Sequence, residues 1–196
     1  MVAIGDSESA EAPSHGPSAK GAFLLNMWAA LRRIAGDAHV DAALLLMDPS
    51  EQREIRDAQA ISWVRMATSS RFVDAVAKTA QLPAEKLYDD AVRMAVDLTY
   101  GGVWKVLLRF ASAELLVKRS AMLYSKVRSI GSVRAEMVSG GANLELNEHP
   151  GVTDRQVRSL AVASARLLEI AGEKEVRFST RMRPDGAVIQ LRWGTR

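Results

Sequence analysis

The sequence contains no cysteine. Disulfides, thiolate metal centres and cysteine nucleophiles are therefore excluded, and nothing in the chain calls for an oxidising compartment. Long apolar runs are missing too. The longest unbroken one is Ala42 to Met47, far short of the roughly 20 residues that cross a bilayer. Near the N-terminus, Asp6, Glu8 and Glu11 stand where a secretory signal would need basic and apolar residues, so a cytoplasmic location is expected. Catalytic signatures are equally scarce. Gly101-Gly102 and Gly140-Gly141 are not followed by the Lys-Ser/Thr of a phosphate loop, and no serine sits in a nucleophile-elbow pattern. The charge excess is small, 26 basic against 23 acidic residues, a net +3. Lys105/Arg109, Lys118/Arg119 and Lys126/Arg128/Arg134 read as solvated helix faces rather than a concentrated phosphate-binding stripe, and a nucleic-acid role is not expected.

What is present is a globular composition, with 48% apolar and 25% charged residues in 196, enough for one domain with a core. Residues 1–18 are rich in Ser, Ala, Glu, Gly and Pro and read as a disordered tail. Residues 19–196 read as a single α+β domain. Leu24, Met27, Trp28, Leu31, Ile34 and Ala35 follow helical spacing up to Gly36, although Gly21–Leu25 also suits a short strand. A second helix is expected over Ala38–Met47. Asp48-Pro49-Ser50-Glu51 then supplies an N-cap residue, a proline at N1 and an early acid, opening a helix to about Asp57. After a less regular stretch containing Trp63, one helix should run to about Gln81 and another should begin at Pro83. The second carries the stripe Leu87, Ala91, Met94, Ala95 and Leu98. Val103–Phe110 is apolar on nearly all sides and is expected to lie buried between other elements. Ser112 can cap one more helix, to about Tyr124.

The period then drops from helical spacing to alternation. Val133, Ala135 and Met137 alternate with polar neighbours, and so do Leu144 and Leu146 beyond Ser139-Gly140-Gly141, which describes a hairpin. Thr153-Asp154-Arg155-Gln156 has the form of a capping box. The helix it opens is followed by a second hairpin, Val176–Met182 and Ala187–Trp193, turning at Pro184-Asp185-Gly186. The fold class is thus α+β: a helical N-terminal half packed with a small antiparallel sheet formed by two C-terminal hairpins flanking a helix.

Candidate sites are sparse. His39, between Asp37 and Asp41, makes a poor metal site because residues two apart on a helix face different ways. His15 lies alone in the tail. Glu148-His149 sits in a loop and is the least weak catalytic pair. Asp89, Arg93 and Asp97 have the four-residue spacing of a surface ion-pair ladder. Tyr100, Trp104, Leu107, Leu108 and Phe110 cluster around the double glycine. They suit plain core packing, or else a pocket for an apolar ligand whose lining would be Trp63, Met94, Tyr100, Trp104, Leu107 and Phe110. No catalytic residue, metal ligand or cofactor is assigned.

Gly21-Ala22-Phe23-Leu24-Leu25 with Ser62-Trp63, Leu123-Tyr124-Ser125-Lys126 leading into Val133-Arg134-Ala135-Glu136, the loop before Gly151, and Gly172…Val176-Arg177…Gly186…Leu191-Arg192-Trp193 together resemble a paralogous family of myxobacterial proteins of unknown function. The resemblance covers residues 20–194. That family is similar in fold to the four-vinyl-reductase-type ligand-binding domain, the heme–nitric-oxide-binding domains and the TRAPP subunits of Golgi transport. The resemblance implies helices against an antiparallel sheet, homodimers, and a pocket for a small hydrophobic ligand. It does not bring a metal site, because the cysteines of metal-bearing relatives are missing between Arg181 and Trp193. A heme would need a histidine, and His39 is the available one. The chain then reads as a non-catalytic binding or signalling module. The alternatives are a protein–protein adaptor with a filled core and, third, an uncharacterised enzyme.

Overall fold

Gly21 admits the chain to its first helix at a point where no side chain fits. A Cβ there would lie 2.0 Å from the carbonyl oxygen of Gln59, and the Gly21 amide donates to the Ser62 carbonyl at 2.7 Å. The residues before it, Ser18–Lys20, form strand β1, and Gly21–Ala35 form α1. The strand alternative for Gly21–Leu25 is therefore replaced by helix, with the extended stretch lying just upstream. The structure is a computed structural model that describes residues 16–194. The expected disordered tail falls largely outside these residues, but Ser18, assigned to it, is buried inside β1.

Two short helices follow, α2 (Asp37–Leu45) and α3 (Pro49–Arg56). Asp48 takes the N-cap position of α3 with Pro49 at N1, although its carboxylate makes no capping hydrogen bond. Strand β2 (Trp63–Arg65) pairs antiparallel with β1, Ala19 opposite Val64. Helices α4 (Met66–Ala80) and α5 (Ala84–Thr99) come next, the first ending on Gln81 in the left-handed conformation. Beyond Gly101-Gly102 lie α6 (Val103–Arg109) and α7 (Ala113–Val127), the latter capped by the Ser112 hydroxyl, which accepts from the Leu115 amide. β3 (Ser132–Val138) and β4 (Gly141–Asn147) form the first hairpin, α8 (Asp154–Ile170) opens on the complete Thr153–Gln156 capping box, and β5 (Lys174–Arg183) and β6 (Gly186–Gly194) form the second hairpin. The sheet runs β3-β4-β6-β5, all antiparallel, with Leu144 opposite Ile189 where the hairpins join. The α+β architecture is as the sequence predicts.

Two hydrophobic cores result. The first gathers Met27, Leu31, Val40, Ile55, Phe72, Val76 and Val92 from α1 to α5, with Val162 of α8. The second packs Tyr124 of α7 and Val157, Ala161 and Ala165 of α8 onto Val133, Leu144, Leu146, Ile189 and Leu191 of the sheet. Helix α8 therefore serves both, and it is bound to α4 and α5 by ion pairs. Arg155 binds Asp74 at 2.8 Å, Arg158 binds Asp89 at 3.0 Å and Arg166 binds Asp97 at 2.8 Å, while Arg93 reaches Glu169 at 3.0 Å. This corrects the expectation of a ladder within α5. The acids at 89 and 97 reach across to α8 rather than along their own helix to Arg93. Among the described residues no helix is long and apolar enough to cross a membrane.

The helix Val103–Phe110 departs most from expectation. It was expected to be buried, yet α6 buries none of its residues, and Val103, Trp104 and Phe110 are 75%, 63% and 86% exposed. Gly102, with φ of 59°, turns the chain so that this short helix stands off the core.

Candidate functional site

The meeting of β1, α1, β2, α4, α5 and the end of α7 leaves a narrow crevice, partly open to solvent, lined by Lys20, Phe23, Val64, Ser69, Tyr88 and Arg128 among others. Strand β1 builds it by pairing on both sides. One side faces β2, and the other faces the segment after α7, where Ala19 bridges to Arg128. The Ser18 amide donates to the Ser129 hydroxyl at 2.8 Å, and the Ser129 amide donates back to the Ser18 carbonyl at 3.0 Å. On the far side, Glu54 of α3 pins β2 to α4. Its carboxylate accepts from the Arg65 amide at 2.7 Å, from Arg65 Nε at 2.9 Å and from the Thr68 hydroxyl at 2.6 Å. Burial pushes the Glu54 carboxyl up, but these hydrogen bonds outweigh it and hold the group below its ordinary value.

Arg128 is the unusual member. Its guanidinium lies 5.2 Å from the centre of the Phe23 ring and has no ion-pair or side-chain hydrogen-bond partner among the described residues. Desolvation pulls it below the ordinary guanidinium value, with the hydroxyls of Tyr124 and Tyr88 opposing. This overturns its assignment to a solvated face. Ala113, Val117 and Tyr124 are the buried positions of α7, and four residues beyond Tyr124 the same stripe arrives at Arg128. Continuing the helical period by one turn is the signal that would have placed this half-buried cation at the edge of the buried face. Lys20 stands nearby. Its ammonium is 4.1 Å from the Trp63 ring centre and donates to the Ile61 carbonyl at 3.2 Å.

The six residues proposed from the sequence as a pocket lining are distributed over three regions. Trp63 lies on β2 beneath Lys20, at the margin of the crevice. Met94 packs against the first core from α5, and Tyr100 ends that helix, its hydroxyl pushed up by burial. Trp104, Leu107 and Phe110 stand together on α6, exposed. None of the six lines the Arg128 crevice or a second, small apolar one between α7, α8 and the sheet, bordered by Leu116, Val117, Leu144 and Leu168.

Glu148 and His149 do not form an acid–base pair. Glu148, at φ 56°, points outward and accepts from the Ser132 hydroxyl at 3.1 Å, whereas His149 is 1% exposed with Nδ1 unpartnered. Burial pulls the imidazole below its ordinary value, and the nearby Arg128 charge lowers it further, against a backbone hydrogen bond. The folded protein therefore keeps His149 neutral at a pH where the unfolded chain protonates it. Stability is full above about pH 6.5 and falls as the pH drops below that, by up to about 1.4 kcal/mol per unit. Urea midpoints at successive pH values should show this decline, and His149→Gln should flatten it.

No family model matches the sequence, and no curated protein does. The fold, however, is that of the heme–nitric-oxide-binding (H-NOX) domains. The chain superposes on the H-NOX protein from S. oneidensis in its Fe(II)NO state with a TM-score of 0.68 at 12% identity, over 90% of this chain and 99% of that one. It superposes on the Fe(II) unliganded H-NOX protein from K. algicida with a TM-score of 0.66 at 9% identity, over 90% and 97%. An oxygen-binding H-NOX domain related to soluble guanylate cyclases gives 0.62 at 10%, over 90% and 95%. At this identity the likeness is one of fold.

Among the described residues, none fits a heme. His39 is exposed on α2, and His149 is enclosed in its loop, where a Cβ on Gly131 would come within 3.2 Å of the ring. Neither faces a crevice described above, and no three metal-binding side chains come together among the described residues. Neither crevice encloses more space than one to a few water molecules occupy, well below the roughly 300–1,000 Å³ of small-molecule sites, so a ligand there would lie across the mouth or part the walls.

Proposed function

We propose that this chain is a non-catalytic binding module that uses the mouth of the Arg128 crevice to bind the anionic head of a small apolar ligand, on a fold whose H-NOX examples carry iron and bind oxygen or nitric oxide. The observation that carries the reading is the unpaired guanidinium stacked on Phe23. A partly desolvated cation without a counter-charge is costly to hold, and a guanidinium fork matches a carboxylate or phosphate in two parallel hydrogen bonds. Lys20 adds a second positive charge at the mouth, and Phe23, Leu24 and Val64 supply apolar walls. In this reading the ligand lies in the helical half, with Trp63 as a flanking aromatic.

Decanoate is a suitable probe, with decanol as its uncharged counterpart. Decanoate should raise the melting temperature and decanol should not. Arg128→Met should weaken decanoate binding by about tenfold to hundredfold while stabilising the unliganded protein by about 1 kcal/mol, because it replaces an unpaired cation with an apolar chain. No shift with decanoate, or an equal shift with decanol, would sink the reading. A second reading, an adaptor acting through its surface, is favoured by the filled cores and the exposed α6.

A further inference from the structure

The segment 101–127 carries Lys105, Arg109, Lys118, Arg119 and Lys126 against a single acid, Glu114. That surplus of four exceeds the +3 of the whole chain. The acid is already engaged by Lys118 at 2.6 Å. The same two helices hold a large share of the exposed apolar side chains. On α6 these include Val103, Trp104, Leu107 and Phe110, and on α7 Leu115 and Met122. Leu115, Arg119, Met122 and Lys126 recur at helical spacing on the face of α7 opposite the buried Ala113, Val117 and Tyr124. Apolar and cationic side chains are therefore interleaved on one solvent face across two consecutive helices.

We infer that α6 and the outer face of α7 form a docking surface for an anionic lipid membrane. A cluster of exposed large apolar residues marks an interaction site, and the charge pattern selects the partner. A second copy of the chain, related by a two-fold axis, would set cations against cations with no free acid to pair them. A nucleic acid would use the cations but would leave Val103, Leu107 and Met122 without apolar contacts. An anionic bilayer satisfies both. The aliphatic side chains and Phe110 enter the acyl boundary, the Trp104 indole sits at headgroup depth, and Lys105, Arg109, Arg119 and Lys126 reach the headgroup charges. The exposure of α6, costly in water, is removed on the membrane.

Full-length protein should sediment with vesicles of phosphatidylcholine containing about one-third phosphatidylserine, at least roughly tenfold more tightly than with phosphatidylcholine alone, and should release as salt rises. Lys105→Gln with Arg109→Gln should weaken binding by about thirtyfold, at about fivefold per charge. Trp104→Ser with Phe110→Ser should weaken it by at least about tenfold. All four side chains are exposed, so circular dichroism and melting temperature should match the parent. Absence of vesicle binding, equal binding to neutral and anionic vesicles, or full retention in the Trp104/Phe110 variant overturns the proposal. So does a dimer that this variant converts to monomer while vesicles remain unbound, which would assign the face to a second copy. The surface shares no residue with the Arg128 crevice, so either reading can fail alone.

Discussion

Phe72→Ala should cost about 3–5 kcal/mol. Phe72 is the largest of the fully buried side chains and meets the Trp28 indole edge-on, with ring centres 5.7 Å apart. Its neighbours in the first core come from several different helices, so no single element can move in to fill the void. At a urea dependence of about 2 kcal/mol per molar, the midpoint should fall by about 2 M. The Trp28 emission should shift as its partner ring disappears. A loss below about 1 kcal/mol would mean that the helices repack freely, and that the first core is less tightly specified than its geometry indicates.

Gly21→Ala is expected to rival it, costing about 3 kcal/mol, at the upper end of overpacking effects. The added methyl would meet the Gln59 carbonyl at 2.0 Å, and a backbone oxygen cannot step aside as the tip of a side chain can. Relief would have to come from moving β1 away from the 59–62 turn. That movement carries Lys20 with it, so decanoate binding should weaken alongside stability. Gly36→Ala provides the contrast. Gly36 has φ of 90° and ψ of 152°, a region essentially reserved for glycine, with no atom within 4 Å of a built Cβ, so its substitution costs conformational strain of about 1–3 kcal/mol and should leave the crevice intact. Chemical denaturation of the two variants side by side separates steric from conformational cost.

The order of elements was legible because each element writes its period into the chain. Thr153 and Gln156 closed the capping box that their spacing implies, and both hairpins fell where alternation replaced helical spacing. Helix α6 was misread for a reason of principle. Apolar composition reports a preference for leaving water, and it does not report whether this chain or a partner provides the cover. Asp89, Arg93 and Asp97 misled in a related way. Four-residue spacing permits pairs along one helix, but Arg93 is taken by Glu169 of α8, and Arg158 and Arg166 of α8 reach the two aspartates. Arg128 escaped notice because its charge was weighed and its place on the buried stripe of α7 was not. The crevice it lines is assembled from six separate segments, and no local pattern encodes such a convergence.

The rungs between α5 and α8 have a further consequence. Asp89 and Asp97 are eight residues apart, and so are their partners Arg158 and Arg166. The two helices therefore run in the same direction with matched rungs about 12 Å apart. Sliding α8 by one turn would break both at once, whereas the small apolar side chains of its inner face, Ala161, Val162 and Ala165, would tolerate the slip with little change in buried area. The carboxylates and guanidiniums act as a vernier. They add modestly to stability, and they set the alignment in which the helical half and the sheet half become one molecule.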